Sequence, residues 1–139
     1  MGRTGKMYCF EEAGLEPDML LFGKALGNGI HVGAVLMKDA PDDFYRLALV
    51  GGAEDTELTY ATGCAVFEEL LENGLLEHIA EVSAYLEDKL FELKGKCSQI
   101  STICCKGLAA NNRIVLRPPY VITKENIDQM ITVFEMLLK

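Results

Sequence analysis

The chain has 139 residues, half of them apolar, which suits one domain with a core of its own. Its formal charge of −8 comes from 21 acidic and 13 basic residues, and the basic residues form no phosphate-neutralising patch, so nucleic acid is not expected as a partner. No apolar stretch reaches the roughly 20 residues that span a bilayer, and the N-terminus lacks the apolar region of a signal peptide, which predicts a soluble protein with no membrane partner.

The chain opens with glycine-punctuated turns and a short strand. The polar, glycine-rich residues 2–6 predict a loop, and residues 11–15 predict a helical turn that ends at Gly14. A Pro-Asp pair then precedes a predicted strand over residues 19–22.

A lysine follows this strand directly. Residues 27–29, Gly-Asn-Gly, predict a turn that tolerates positive φ, and residues 32–37 predict a second, largely buried strand. Lys24 is therefore expected at the end of a strand, beside a flexible turn.

The middle of the chain changes to a helical pattern. Residues 41–48 predict a short helix, and residues 50–60 lack a clear period and predict a loop. Apolar residues at helical spacing then continue from 64 to about 93, interrupted by Gly74, which predicts two helices or one kinked helix.

The C-terminal part is predicted to contain two short strands and a helix. Residues 100–105 and 114–116 are the strand candidates, divided by Gly107 and by an Asn-Asn pair at 111 and 112. Thr123 can cap the N-terminus of a final helix. Its apolar face is predicted to consist of Ile127, Met130, Ile131, Phe134 and Leu138.

Five cysteines form no C-x-x-C motif and have no histidine at ligand spacing, so no metal site and no disulfide framework is expected. The adjacent Cys104 and Cys105 are interpreted as small buried apolar residues. Free thiols suit a reducing compartment, which predicts a cytoplasmic protein.

Residues 2–38, GRTGKMYCFEEAGLEPDMLLFGKALGNGIHVGAVLMK, resemble the class III pyridoxal-phosphate-dependent aminotransferases. The order and spacing of the GRTGK loop, the strand introduced by Pro-Asp and the K-A-L-G-x-G turn all match. ENGLLEHIAEVSAYLEDKLFEL and RPPYVITKENIDQM are similar to the small domain of acetylornithine- and ornithine-type members, although PPYVI also resembles diaminopelargonate-type members.

The resemblance implies a role for Lys24. A lysine in this position holds pyridoxal 5'-phosphate through its amine, and the freed amine then moves a proton at the substrate's α-carbon. Without the flanking motif, Lys24 would be interpreted as an ordinary solvated lysine after a strand.

Two further site residues follow from the resemblance. Thr59, in the loop expected before the long helix, is the candidate for binding the cofactor phosphate, although the G-G-N-P stretch expected there is missing. Arg117 is the candidate clamp for a substrate carboxylate, although an acetylornithine-like pattern would place the arginine at position 115. An ordinary loop threonine and a surface arginine are the alternatives.

The chain departs from the family pattern in two places. It begins just before GRTGK, so it lacks the D-E-x-Q segment whose aspartate pairs with the cofactor's ring nitrogen. A second segment is predicted to be missing between Leu108 and Ala109.

The predicted fold class is therefore α/β, an incomplete fold-type I pyridoxal-phosphate transferase. Residues 1–62 are interpreted as a large-domain segment with the cofactor lysine, and residues 63–139 as a helical linker with a reduced small domain. The resemblance implies transamination between an amino donor and a 2-oxo acid, in a homodimer or with a complementing chain. The alternative is a catalytically silent remnant that acts as a folded or interaction module.

Overall fold

The computed structural model describes residues 1–39, 57–111 and 115–138 of the chain. Within these ranges the protein forms two antiparallel two-stranded sheets and three α-helices. The helix predicted for residues 41–48 lies outside the described residues.

The first sheet is a hairpin of β1 (Met19–Phe22) and β2 (Ala34–Met37), paired from Met19↔Met37 at one end to Phe22↔Ala34 at the other. The predicted first strand is confirmed. The second strand begins two residues later than predicted, and its predicted burial is wrong, because Val35 is 43% and Leu36 is 52% exposed. A strand is buried only when other elements cover it, and in the described residues this sheet has two strands only.

Two consecutive helices follow, α1 (Glu57–Leu71) and α2 (Leu75–Lys96). They are separated at Gly74, which has a φ of 77° and lies directly before the second helix, so the predicted break is confirmed. Helix α1 includes residues 57–60, so the predicted loop is wrong there. The predicted boundary between residues 62 and 63 falls inside α1, and the division into two segments remains a prediction.

The last helix, α3 (Lys124–Leu137), begins as predicted. The Thr123 hydroxyl accepts a 3.3 Å hydrogen bond from the Asn126 amide, and the Asn126 side chain accepts one from the Thr123 amide. These two bonds satisfy amides that the first turn of a helix leaves without partners.

The core lies where α2 packs against α1 and α3. The buried apolar residues of α2 recur with the 3.6-residue period that the sequence predicted. The buried residues of the core are Leu70, Ile79, Val82, Leu86, Leu90, Leu93, Cys97, Leu108, Ile122, Ile127 and Ile131. None of the helices in the described ranges is long and apolar enough to cross a membrane.

A second, smaller hairpin pairs β3 (Cys104–Cys105) with β4 (Ala110–Asn111). The strand predicted over 100–105 is thus much shorter, and Asn111, predicted to divide two strands, lies within one. Cys104 is exposed and Cys105 half-buried, so the prediction that both are buried is wrong for Cys104.

The N-terminal loop is confirmed and is packed closely on the helices. The Gly2 amide donates a 3.0 Å hydrogen bond to the Met7 carbonyl, which closes the loop. A Cβ atom on Gly2 would lie 2.8 Å from the Leu70 side chain, and one on Gly5 would lie 2.8 Å from the Cβ of Ala80. Glycine is therefore required where this loop contacts α1 and α2.

Candidate functional site

Lys24 begins a 3₁₀ turn, Lys24–Gly27, with Gly23 between it and the end of β1. The turn has one exposed and one buried side. Lys24 is exposed, whereas Leu26 is only 3% exposed and Gly27 is buried. The turn ends at Asn28, whose amide donates a 3.3 Å hydrogen bond to the Ala25 carbonyl.

The backbone of Lys24 is left-handed, with a φ of 50°. In the described residues the other non-glycine residue with positive φ is Asn28, at 43°. Asparagine adopts this conformation readily, but for lysine it costs roughly 1–2 kcal/mol. The surrounding contacts must therefore hold Lys24 in it.

Two neighbours, Val32 and α1, pack against the turn. Val32 lies against both of its ends: a Cβ on Gly23 would come within 2.9 Å of the Val32 carbonyl oxygen, and one on Gly27 within 3.2 Å of a Val32 methyl. The turn also packs against α1, where a Cβ on Gly63 would lie 3.8 Å from a Leu26 methyl. The exposed lysine thus sits on a turn that is fixed beneath it.

Aromatic rings fasten the end of β1 to the rest of the fold. Phe22 packs edge-on against Phe67 of α1, with ring centroids 6.4 Å apart, and tilts against Tyr8 at 5.9 Å. Tyr8 in turn stacks on Phe10 at 5.3 Å. Burial, and secondarily the Glu11 carboxylate, raise the pKa of Tyr8, so its surroundings favour the neutral phenol.

Thr59 lies in the first turn of α1, so the expectation that it lies in a loop is wrong. It is half-buried, and it precedes Gly63 by four residues, which places both on one face of the helix. A Cβ on Gly63 would lie 3.8 Å from Leu26, so this is the face of α1 beside the Lys24 turn. The structure therefore brings the elements of Lys24 and Thr59 together.

Arg117 is exposed and lies in the segment between the β3–β4 hairpin and α3. This segment is tied to the N-terminal loop by a different arginine. Arg3 donates hydrogen bonds to the carbonyl oxygens of Pro118, at 2.9 Å, and Leu108, at 3.1 Å. Its guanidinium also lies 4.7 Å from the centroid of the Tyr120 ring.

Arg3 was missed by the sequence interpretation. Its partners are backbone carbonyls more than 100 residues away, and no local pattern signals them. The Gly107 contact was also missed: this residue has a φ of 57°, and a Cβ there would collide with the Arg3 carbonyl and the Thr4 backbone.

A shallow groove of about 380 Å³ opens beside the β1–β2 hairpin, lined by residues including Phe10, Leu20 and Leu36. Lys38 lies at its edge, 3.9 Å from Glu16 and 3.8 Å from Asp18. The groove is at the Met19↔Met37 end of the hairpin, away from the end that leads to Lys24. It is therefore not the site that the Lys24 turn would form.

Comparison with known families matches residues 1–110 to the class III aminotransferases. The chain belongs to this family. The predicted family is thereby confirmed.

Two curated relatives that this chain matches are acetylornithine aminotransferases. The chain is 32% identical to the acetylornithine aminotransferase of Aquifex aeolicus over 160 residues, covering 99% of this chain and 42% of the relative. It is 33% identical to that of Methanosarcina mazei over 158 residues, covering 96% of this chain and 40% of the relative. The chain thus spans about two fifths of the length of the curated relatives it matches.

Solved structures of similar proteins confirm the fold class. The acetylornithine aminotransferase of Elizabethkingia anophelis matches 99% of this chain and 42% of its own, with a TM-score of 0.75 and 19% identity. The ornithine delta-aminotransferase of Plasmodium falciparum matches 99% and 43%, with a TM-score of 0.74 and 24% identity. The fold is therefore part of the fold-type I aminotransferase fold, as predicted.

The alignment with the Aquifex relative is longer than this chain, 160 against 139 residues. The relative therefore carries residues between matched segments that this chain lacks. The β3–β4 hairpin turns tightly at residues 106–109, where the Lys106 amide donates a 2.8 Å hydrogen bond to the Ala109 carbonyl. This turn suits the predicted position of the missing segment, which remains a prediction.

The family implies pyridoxal 5'-phosphate, and the described residues fit its covalent anchor. An exposed primary amine stands on a fixed turn, so an aldehyde can reach Lys24 from solvent. The Thr59 face of α1 lies against the same turn.

Proposed function

We propose that this chain supplies the cofactor-lysine part of a class III aminotransferase. In this proposal Lys24 is the catalytic residue and holds pyridoxal 5'-phosphate, for transamination between an amino donor of the acetylornithine or ornithine type and a 2-oxo acid. The observation that carries it is the exposed Lys24, held with a left-handed backbone at the start of a turn in which Leu26 and Gly27 are buried. Because the chain spans about two fifths of its relatives, the activity of a whole enzyme is part of the proposal.

When bound, the cofactor would act as an electron sink for the substrate's α-carbon. The chain's own residues would then bind the cofactor and the substrate and would move protons. Lys24 Nζ would hold the cofactor and transfer a proton at that α-carbon, which is general acid–base work. The Thr59 hydroxyl is proposed to bind the cofactor phosphate. The Arg117 guanidinium is proposed to bind a substrate carboxylate through two parallel hydrogen bonds.

The partner in this proposal is a second copy or a complementing chain that covers the open face of the β1–β2 hairpin. Met19, Leu21 and Val35 share this face, and they are 51%, 68% and 43% exposed. In the described residues the sheet has only these two strands, and an exposed apolar sheet with unpaired edges favours association. All five cysteines are free, which supports a cytoplasmic location.

The same open face favours a second candidate function, a catalytically silent remnant that acts as a folded or interaction module. In that case the apolar hairpin would be the functional surface, and Lys24 would be an ordinary exposed lysine. The two candidates differ in whether Lys24 captures the cofactor selectively.

The deciding experiment mixes the purified protein with less than one equivalent of pyridoxal 5'-phosphate and then reduces it with borohydride. Condensation of a lysine amine with the cofactor aldehyde releases water, and reduction fixes the bond as a secondary amine. Peptide mass spectrometry then locates the label among the nine lysines. The proposal predicts selective labelling at Lys24.

The test variant is Lys24→Ala. Its control is Lys38→Ala, since Lys38 is an exposed lysine that follows the other strand of the same hairpin. Lys24→Ala should abolish selective capture, and Lys38→Ala should leave it unchanged. Labelling spread over exposed lysines, unaltered by Lys24→Ala, would favour the silent module.

A further inference from the structure

The Lys24 side chain is exposed, yet its backbone is held in a conformation that lysine disfavours. An exposed side chain makes few contacts of its own, so the direction in which the amine points depends on the turn that carries it. The buried members of this turn are Leu26 and Gly27. Of these two, only Leu26 has a side chain that can anchor it.

Leu26 is 3% exposed although the turn lies beside an exposed hairpin. It lies beside Gly63 of α1. A Cβ on Gly63 would lie 3.8 Å from the Leu26 Cδ1, which is an ordinary van der Waals distance. A methyl group therefore fits at Gly63, and we expect a longer side chain there to crowd Leu26.

We propose that Leu26 is a positioning residue for Lys24: its side chain, seated on Gly63 of α1, fixes the turn that presents the lysine amine. The inference rests on the proposed function of Lys24 and adds the contact that orients it. It also explains how the turn and the Thr59 face of α1 stay in register, since both meet at Leu26 and Gly63. A shift of about 1 Å in such a group is enough to cost a large factor in rate.

The test changes the side-chain volume at Leu26 and at Gly63, first singly and then together. Gly63→Leu should displace Leu26, and Leu26→Ala should leave the turn without its anchor. The double variant Leu26→Ala with Gly63→Leu refills the space and should restore the position of the turn. Gly63→Ala is the matched control, because its added methyl group fits the existing distance.

The readout is the rate of reductive labelling with pyridoxal 5'-phosphate at Lys24, divided by the rate at Lys38 in the same sample. We expect each single variant, Gly63→Leu and Leu26→Ala, to lower this ratio about tenfold or more, on the scale of misplaced reactive groups. The double variant should recover most of the ratio, and Gly63→Ala should leave it unchanged. Thermal melting of every variant shows whether the fold persists at the labelling temperature, and Leu26→Val replaces Leu26→Ala if the latter does not fold.

Each result decides the proposal. If the unchanged protein labels Lys24 selectively and folded Leu26→Ala or Leu26→Val labels it equally fast, Leu26 merely adds stability and the positioning role is overturned, while the proposed function stands. The same holds if the double variant is no better than the singles. If the unchanged protein labels its lysines without selectivity, the proposed function fails, and the positioning role fails with it.

Discussion

The Arg3 guanidinium donates a 2.9 Å hydrogen bond to the carbonyl oxygen of Pro118, 115 residues further along the chain. The segment before α3 also donates a hydrogen bond to the N-terminal loop: the Tyr120 hydroxyl donates to the Met1 carbonyl at 2.7 Å. Between them the guanidinium lies over the Tyr120 ring. The N-terminal loop and the segment before α3 therefore form one packed unit, and the hairpin with Lys24 extends from it.

Removing Arg3 should destabilise the protein. Arg3→Ala loses two charge-assisted hydrogen bonds to carbonyls and the contact with Tyr120, so we expect the free energy of unfolding to fall by about 2 kcal/mol. Urea denaturation measures this change. Arg117→Ala is the control, because that residue is exposed, and its effect should stay within about 0.5 kcal/mol. Equal effects of the two variants would contradict the account of Arg3.

Gly107 should tolerate no side chain. Its φ of 57° is left-handed, and a Cβ would collide with backbone atoms of Arg3 and Thr4. Gly107→Ala is therefore expected to cost about 3 kcal/mol or more, since both backbone strain and a steric clash contribute. Gly95→Ala is the matched substitution: nothing lies within 4 Å of a Cβ there, and within α2 it should stabilise by up to about 1 kcal/mol. A melting temperature that falls for Gly107→Ala and rises for Gly95→Ala would support this distinction.

Local patterns predicted the elements whose stability is local. Helix α3 has both a strong amphipathic stripe and a capping threonine, and the structure has it where both signals placed it. The break at Gly74 was predicted for the same reason, because positive φ is a property of one residue. The motif around Lys24 likewise placed the lysine at the end of a strand and beside a turn.

Features that depend on distant neighbours were not predictable from local patterns. The apolar residues of β2 predicted a buried strand, but burial depends on what covers the sheet, and Leu36 is half exposed. Thr59 was placed in a loop because residues 50–60 lack a period, whereas packing against the Lys24 turn accompanies a helix there. Arg3 left no sequence signal, since backbone carbonyls of any residue type can accept its hydrogen bonds.

Stability should fall above pH 10, in part through Tyr120. Burial raises the pKa of Tyr120 above the ordinary value of about 10, and the nearby Arg3 charge only partly opposes this. Above that pH the unfolded chain loses the phenolic proton first, so ionisation favours unfolding until the pH passes the raised folded value. Melting temperatures from pH 9 to 11 should therefore decline less steeply for Tyr120→Phe than for the unchanged protein. The decline should not vanish, because Tyr8 and Tyr85 also have raised pKa values. An identical slope in Tyr120→Phe would contradict this assignment.

The open face of the β1–β2 hairpin should govern self-association. Leu21 is 68% exposed, so Leu21→Ser should change the free energy of unfolding by less than about 0.5 kcal/mol. If this face is the contact surface, the same substitution weakens association, which sedimentation velocity measures across protein concentrations. Leu137→Ser is the control, because Leu137 is 73% exposed but lies on α3. Association that responds equally to both substitutions would show that general hydrophobicity, and not this face, drives it.

The backbone strain at Lys24 can be tested without any cofactor. At a φ of 50° glycine pays no steric cost, whereas alanine retains the Cβ that makes this conformation unfavourable for lysine. Lys24→Gly should therefore be more stable than Lys24→Ala by about 1 kcal/mol, in spite of the greater flexibility that glycine gives to the unfolded chain. Gly33 offers the converse comparison on the same hairpin: its φ is not positive and nothing lies within 4 Å of an added Cβ, so Gly33→Ala should not be destabilising. If urea denaturation ranked Lys24→Ala above Lys24→Gly, Lys24 would not be held in the left-handed region, and the turn would present its amine in some other way.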